Sequence, residues 1–162
     1  IYSGDTIVHH QYWGEQTLAQ RWIRRAGEIS AELSDIPLYY LLIVKGHRTY
    51  RYLQAFTHQY YPHWNSPTPP SVQRLMNHLG TSLFASDYQQ DKGVIEFPVS
   101  HGQLRPEWAE PPEEVLSRPE VAFFLERNNG FRKGDELLCL TELSTSNLKP
   151  LARRWFSAGA SQ

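Results

Sequence analysis

Apolar positions change period several times along the chain, and each period predicts an element. The β-branched Thr6, Ile7 and Val8 predict a short strand over residues 5–11, ended by a turn at Trp13 and Gly14. Leu18, Trp22, Ala26, Ile29 and Leu33 then recur every three or four residues, the stripe of an amphipathic helix, with Arg21, Arg24, Arg25 and Glu28 on its wet side. Ile36 and Pro37 end it. Residues 38–44 (LYYLLIV) run without polar alternation, as a strand covered on both faces does, and belong near the centre of a sheet. Thr49, Leu53, Phe56 and Tyr60 predict a helix over residues 47–60, stopped by Pro62. Strand, helix, strand, helix is the order of a βαβ unit with parallel strands.

Residues 63–70 (HWNSPTPP) form a stiff, proline-rich connector. Thr68 can cap the next helix, with Pro69 in its first turn and Val72, Leu75, Met76, Leu79 and Leu83 as its apolar stripe. Residues 94–97 predict a strand, whereas residues 99–112, which carry Trp108, have no period. Ser117 and Glu120 have the spacing of a capping box before a helix with Val121, Phe124 and Leu125 on its apolar face, and Asn129-Gly130 supplies a left-handed end. Residues 136–143 predict a strand, and Ser146 caps a last helix with Pro150 in its first turn and Leu151, Trp155 and Phe156 inward. The expected fold is mixed α/β (α+β), one domain over residues 1–162: a βαβα half over 1–62, the connector over 63–70, and residues 71–162 packed onto that half.

Composition narrows the class. With 40% hydrophobic and 20% charged residues, the 162-residue chain has the make-up of a globular domain. Its net charge of -1, from 16 Lys+Arg against 17 Asp+Glu, supplies no field for phosphate backbones or anionic lipid, so neither nucleic acid nor membrane is an expected partner. The longest apolar run is a third of the ~20 residues that span a bilayer. A single cysteine, Cys139, and no charged-then-apolar leader make the cytoplasm the expected location. A chain that begins at Ile1 raises the expectation of a missing N-terminal segment, and a homodimer is the alternative expectation.

Chemistry concentrates in Gln11, Tyr12, Trp13, Gly14, Glu15, Gln16 and Thr17, where a strand turns into a helix through a glycine. Unpaired amides and the positive end of a helix dipole bind a pyrophosphate at such a junction, while Gly14 serves equally as a plain tight turn. The segment resembles the acyl-CoA-binding motif of the GCN5-related N-acetyltransferases, Q/R-x-x-G-x-G/A. Gln11 and Gly14 stand at the first two fixed positions, and Gln16 stands where glycine or alanine is usual. The resemblance covers residues 1–61 and includes the order of motif, helix, strand and helix; the strands that precede the motif in the family have no counterpart. It implies acetyl-CoA or another acyl-CoA as cofactor, held by Gln11, Trp13, Gly14, Glu15, Gln16 and Thr17. It further implies an amine acceptor, small molecule or protein, and a tyrosine on the helix after the second strand as acid for the departing thiolate: Tyr52 first, Tyr50 second. A phenol of pKa about 10 is near enough to a thiol to exchange that proton in a dry site. Residues 42–56 and 123–140 also resemble uncharacterised bacterial proteins.

Other candidates carry less. His9, His10, His58 and His63 lack the company of a zinc site, and adjacent His9 and His10 point to opposite faces of a strand, so no metal is expected. Cys139, inside an apolar run, reads as a structural thiol. Aromatic residues reach 13%, and Tyr50, Tyr52, Phe56, Tyr60, Tyr61 and Trp64 can line a pocket or anchor an interface. Arg48, Arg51, Arg153 and Arg154 suit an anionic ligand or merely a solvated face. The alternative to an acyltransferase is therefore a non-catalytic α/β binding or assembly domain with an aromatic-rich surface.

Overall fold

The computed structural model describes residues 1–3, 6, 8–12, 14–33 and 36–161. Its strands are β1 (Tyr2–Ser3), β2 (Tyr39–Val44), β3 (Tyr88–Gln89), β4 (Val94–Ile95) and β5 (Glu136–Glu142), hydrogen-bonded in the order β1-β2-β5-β4-β3. The helices are α1 (Thr17–Glu32), α2 (His47–Phe56), α3 (Pro70–Phe84), α4 (Pro106–Ala109), α5 (Glu113–Leu116), α6 (Pro119–Arg127) and α7 (Pro150–Ala160). The fold is mixed α+β. β1 and β2 are parallel, with Tyr2 opposite Leu41 and Ser3 opposite Leu42, and α1 makes the crossover between them. The other pairings are antiparallel, and β5 pairs with β2 from Tyr39↔Glu142 to Val44↔Leu137.

Side chains alternate across the sheet, and both faces are covered. Leu41 of β2 with Leu138 and Leu140 of β5 packs against Met76 of α3. Leu42, Val44, Leu137 and Cys139 face the other way, onto Tyr50 and Leu53 of α2 and Phe124 of α6. A second cluster on this side joins Ile23 and Ala26 of α1 to Trp155 and Phe156 of α7. Helices on both faces are why residues 38–44 lack polar alternation. Among the described residues, no helix is long and apolar enough to cross a membrane.

Several boundaries differ from the sequence expectation. The first strand lies at Tyr2–Ser3, where Leu41 donates an amide bond to the carbonyl of Ile1 (2.9 Å). Residues 10–12 instead form a 3-10 turn, and Ile7 lies outside the described residues. Asp5, like Ile7, lies outside the described residues, and Thr6, Val8 and His9 are in no strand. On α1 the buried residues are Ile23, Ala26 and Gly27, while Leu18 and Leu33 are exposed. Trp22, Ala26 and Ile29 of the expected stripe do pack toward α7, joined by Ile23 and by Gly27, which lies directly against the Phe156 carbonyl. α2 ends at Phe56: the Thr57 hydroxyl donates to the Leu53 carbonyl (2.7 Å) and its backbone turns extended, ahead of Pro62.

Capping expectations fare similarly. α3 begins at Pro70 behind Pro69, not under a Thr68 cap. Arg118 precedes α6, no side chain caps it, and Glu120 is buried, ion-paired with Arg51 at 3.4 Å. Gly130 has φ -90°; the left-handed residue is Gly134, at φ 98°. Lys149 precedes α7, the Ser146 hydroxyl contacts that of Ser144 (3.0 Å), and Leu151 is exposed.

Candidate functional site at the carboxyl ends of the parallel strands

Because β1 and β2 run the same way, the chain leaves both on one side of the sheet, through residues 4–16 and through Lys45-Gly46. Ligands of open α/β sheets collect outside the carboxyl ends of such strands. Gly14 has φ 96°, and a Cβ built there meets nothing within 4 Å, so the turn stands open. Gln11, Tyr12, Glu15, Gln16 and Thr17 are all exposed; Trp13 lies outside the described residues. Gln16 (φ -91°, ψ -2°) makes no side-chain cap bond, and the first turn of α1 holds no acidic residue. Among the described residues, the opening amides of α1 thus have no side-chain cap from Gln16 and no acidic residue within the first helical turn, while Glu15 stands exposed just before it.

The 10–12 turn is tied to α2 through Trp108. The His10 ring meets Trp108 edge-on at 4.9 Å, and the Arg48 guanidinium donates to the Trp108 carbonyl (2.7 Å). Leu104 packs on Gly46 in the same place. Cations gather here but are largely neutralised: Lys45 pairs with the nearly buried Glu136 (3.3 Å) and Arg51 with Glu120. His47, at the start of α2, is only 2% exposed, and its Nδ1 has no hydrogen-bond partner among the described residues. Burial, then the charges of Arg48 and Arg51, lowers its pKa to about 4, so the ring is neutral at pH 7.

The two tyrosines of α2 occupy different surroundings. Tyr50 is fully buried, stacks on Phe123 and donates its hydroxyl to the Pro62 carbonyl (2.9 Å). Burial first, then nearby Cys139 and Tyr60, pushes its pKa up. Tyr52 is half-exposed and lies parallel to Phe56 at 6.1 Å, which in turn meets Trp155. Of the aromatic group, Tyr60 also belongs to the core, its pKa pushed up to about 12 chiefly by burial. Cys139 is buried, and burial pushes its thiol up. His9 stacks on His10 at 4.4 Å and His63 stacks on Trp64; no group of three metal ligands forms among the described residues.

The fold thus brings together His10, Trp108 and Arg48, a trio that periodicity could not find because Trp108 sits in an aperiodic segment. Two surface hollows lie elsewhere: one of about 350 Å³ bordered by Arg25, Glu28, Glu32 and Gly159, and one of about 270 Å³ at the opposite end of β2. Comparisons with protein-family models, with curated proteins and with solved structures find no match to this chain.

Proposed function

We propose that the chain is an acyl-CoA-dependent N-acyltransferase of the GCN5-related kind, moving an acyl group to an amine. One observation carries this reading: segment 11–17 leads from the carboxyl side of a parallel β1-α1-β2 unit into a helix start that no side chain caps. The main-chain amides at the start of α1 bind the pyrophosphate, with no acidic residue in the helix's own first turn and the exposed Glu15 carboxylate free to turn to solvent. Gln11, Gly14, Glu15, Gln16 and Thr17 border it. When bound, acyl-CoA would supply a thioester: a neutral amine's nitrogen would bond to the acyl carbon as the C–S bond breaks, and the proton shed by nitrogen would pass to water. Tyr52, half-exposed, holds the proton for the departing thiolate; Tyr50 is sealed against Pro62 and supports α2 instead.

A second reading, a non-catalytic binding domain, is favoured by two hollows, of about 350 and 270 Å³, that lie away from segment 11–17. Thermal unfolding separates the two. Acetyl-CoA at 100 times its Kd adds about 2.7 kcal/mol, a rise in Tm of roughly 5–10 °C for a domain of this size. Thr17→Asp places a carboxylate at the helix start, where it favours the fold by about 0.3–1 kcal/mol yet repels a pyrophosphate. The expected result is a ligand-induced rise in the parent that disappears in Thr17→Asp while the unliganded Tm holds or increases. No rise in the parent leaves only the binding domain.

A further inference from the structure

The hollow of about 270 Å³ lies where β2 begins and β5 ends, roughly 16 Å along the strands from the site above. Its lining mixes Val72 and the buried Leu140 with Tyr39, Tyr61, His58 and Glu142. The side chains of these four make no hydrogen bond or ion pair among the described residues, so each is available to a ligand. The backbone beneath them is fixed by Asn147, whose amide nitrogen donates to the carbonyls of Gln59 (2.9 Å) and Glu142 (2.8 Å) and to the Thr141 hydroxyl (3.1 Å). Its amide oxygen accepts from the Gln59 amide (2.7 Å), and the Thr141 hydroxyl donates to the Gln59 carbonyl (2.7 Å). Walls held this way cost little to order on binding.

We infer that this hollow is a second binding site, for a small amine carrying an apolar or aromatic body. Glu142 is the carboxylate among the lining residues and sets the sign of the ligand's charge. Tyrosine rings attract a cation over their faces, and their hydroxyls accept from an ammonium. Val72 and the part-exposed rings of Tyr39 and Tyr61 take the apolar body. The site stands independently of the acyltransferase reading, since it shares no residue with segment 11–17 or with α2.

The test is a titration of the whole chain with 2-phenylethylamine, followed by amide chemical shifts and repeated with the neutral 2-phenylethanol. The expected result is saturable shifts at residues 58–61 and 140–147, with Kd at least about tenfold weaker for the alcohol and for Glu142→Gln with the amine, the effect of losing one charge-assisted hydrogen bond. Glu142 is exposed and makes no ion pair among the described residues, so the variant leaves the fold intact, which its unperturbed spectrum verifies. Shifts that appear elsewhere, that are equal for the alcohol, or that stay absent at millimolar amine overturn the inference.

Discussion

His47 shows how one buried base couples stability to acidity. The folded chain keeps its imidazole neutral down to about pH 4, because burial and then the charges of Arg48 and Arg51 oppose the proton. The unfolded chain takes that proton up near 6.5. Between those values the unfolded state binds more protons, so stability falls as pH drops from 6.5 to 4, by about 3 kcal/mol from this residue. Urea unfolding across that range, compared between the parent and His47→Gln, isolates the contribution from that of the carboxylates. The variant is expected to have the flatter profile; parallel profiles would mean that the ring is hydrated or paired in solution.

At the scale of elements, the contact between α1 and α7 depends on two glycines. A Cβ on Gly27 would overlap the Phe156 carbonyl, and one on Gly159 would overlap the Arg24 carbonyl. In a free helix, glycine to alanine gains about 0.5–1 kcal/mol. Here Gly27→Ala is expected to lose about 1–3 kcal/mol, because two backbones must separate. Adding Gly159→Ala is expected to cost less than it does alone, since the first substitution has already opened the gap. Chemical unfolding of the two single variants and the double variant measures that coupling; additive losses would show that the helices adjust independently.

The same pair explains what the chain could and could not disclose. Glycine has no hydropathy signal, so the stripe was read correctly through Trp22, Ala26 and Ile29 but missed Gly27 and took in the exposed Leu18 and Leu33 at its ends. β2 and β5 were legible because burial on both faces writes a continuous apolar run. β4 was legible from Val94, though it ends at Ile95 and not at Phe97, whereas β1 and β3 are two-residue pairings fixed by a neighbour's edge. Segment 11–17 was legible as a glycine turn before a helix. Its neighbours Trp108 and Arg48 were not, because the contact runs through residues 98–112, whose path follows no period.

For the whole molecule, the decisive fact is where β5 sits. It comes late in the chain yet lies between β2 and β4, so residues 1–62 do not contain the strand that closes their own sheet. In a fragment 1–70, β2 loses all six of its pairings with β5, its face toward α3 loses Met76, its other face loses Phe124, and α1 loses Trp155 and Phe156. Each large apolar side chain re-exposed costs about 1.5–3 kcal/mol, and a handful exceeds the 5–15 kcal/mol that holds a domain together. Fragment 1–70 is therefore expected to show no near-ultraviolet circular dichroism and no cooperative melt, and co-expression with residues 71–162 is expected to restore both. A sharp melt for 1–70 alone would instead make the βαβα half a folding unit of its own, with β5 docking onto a sheet already formed.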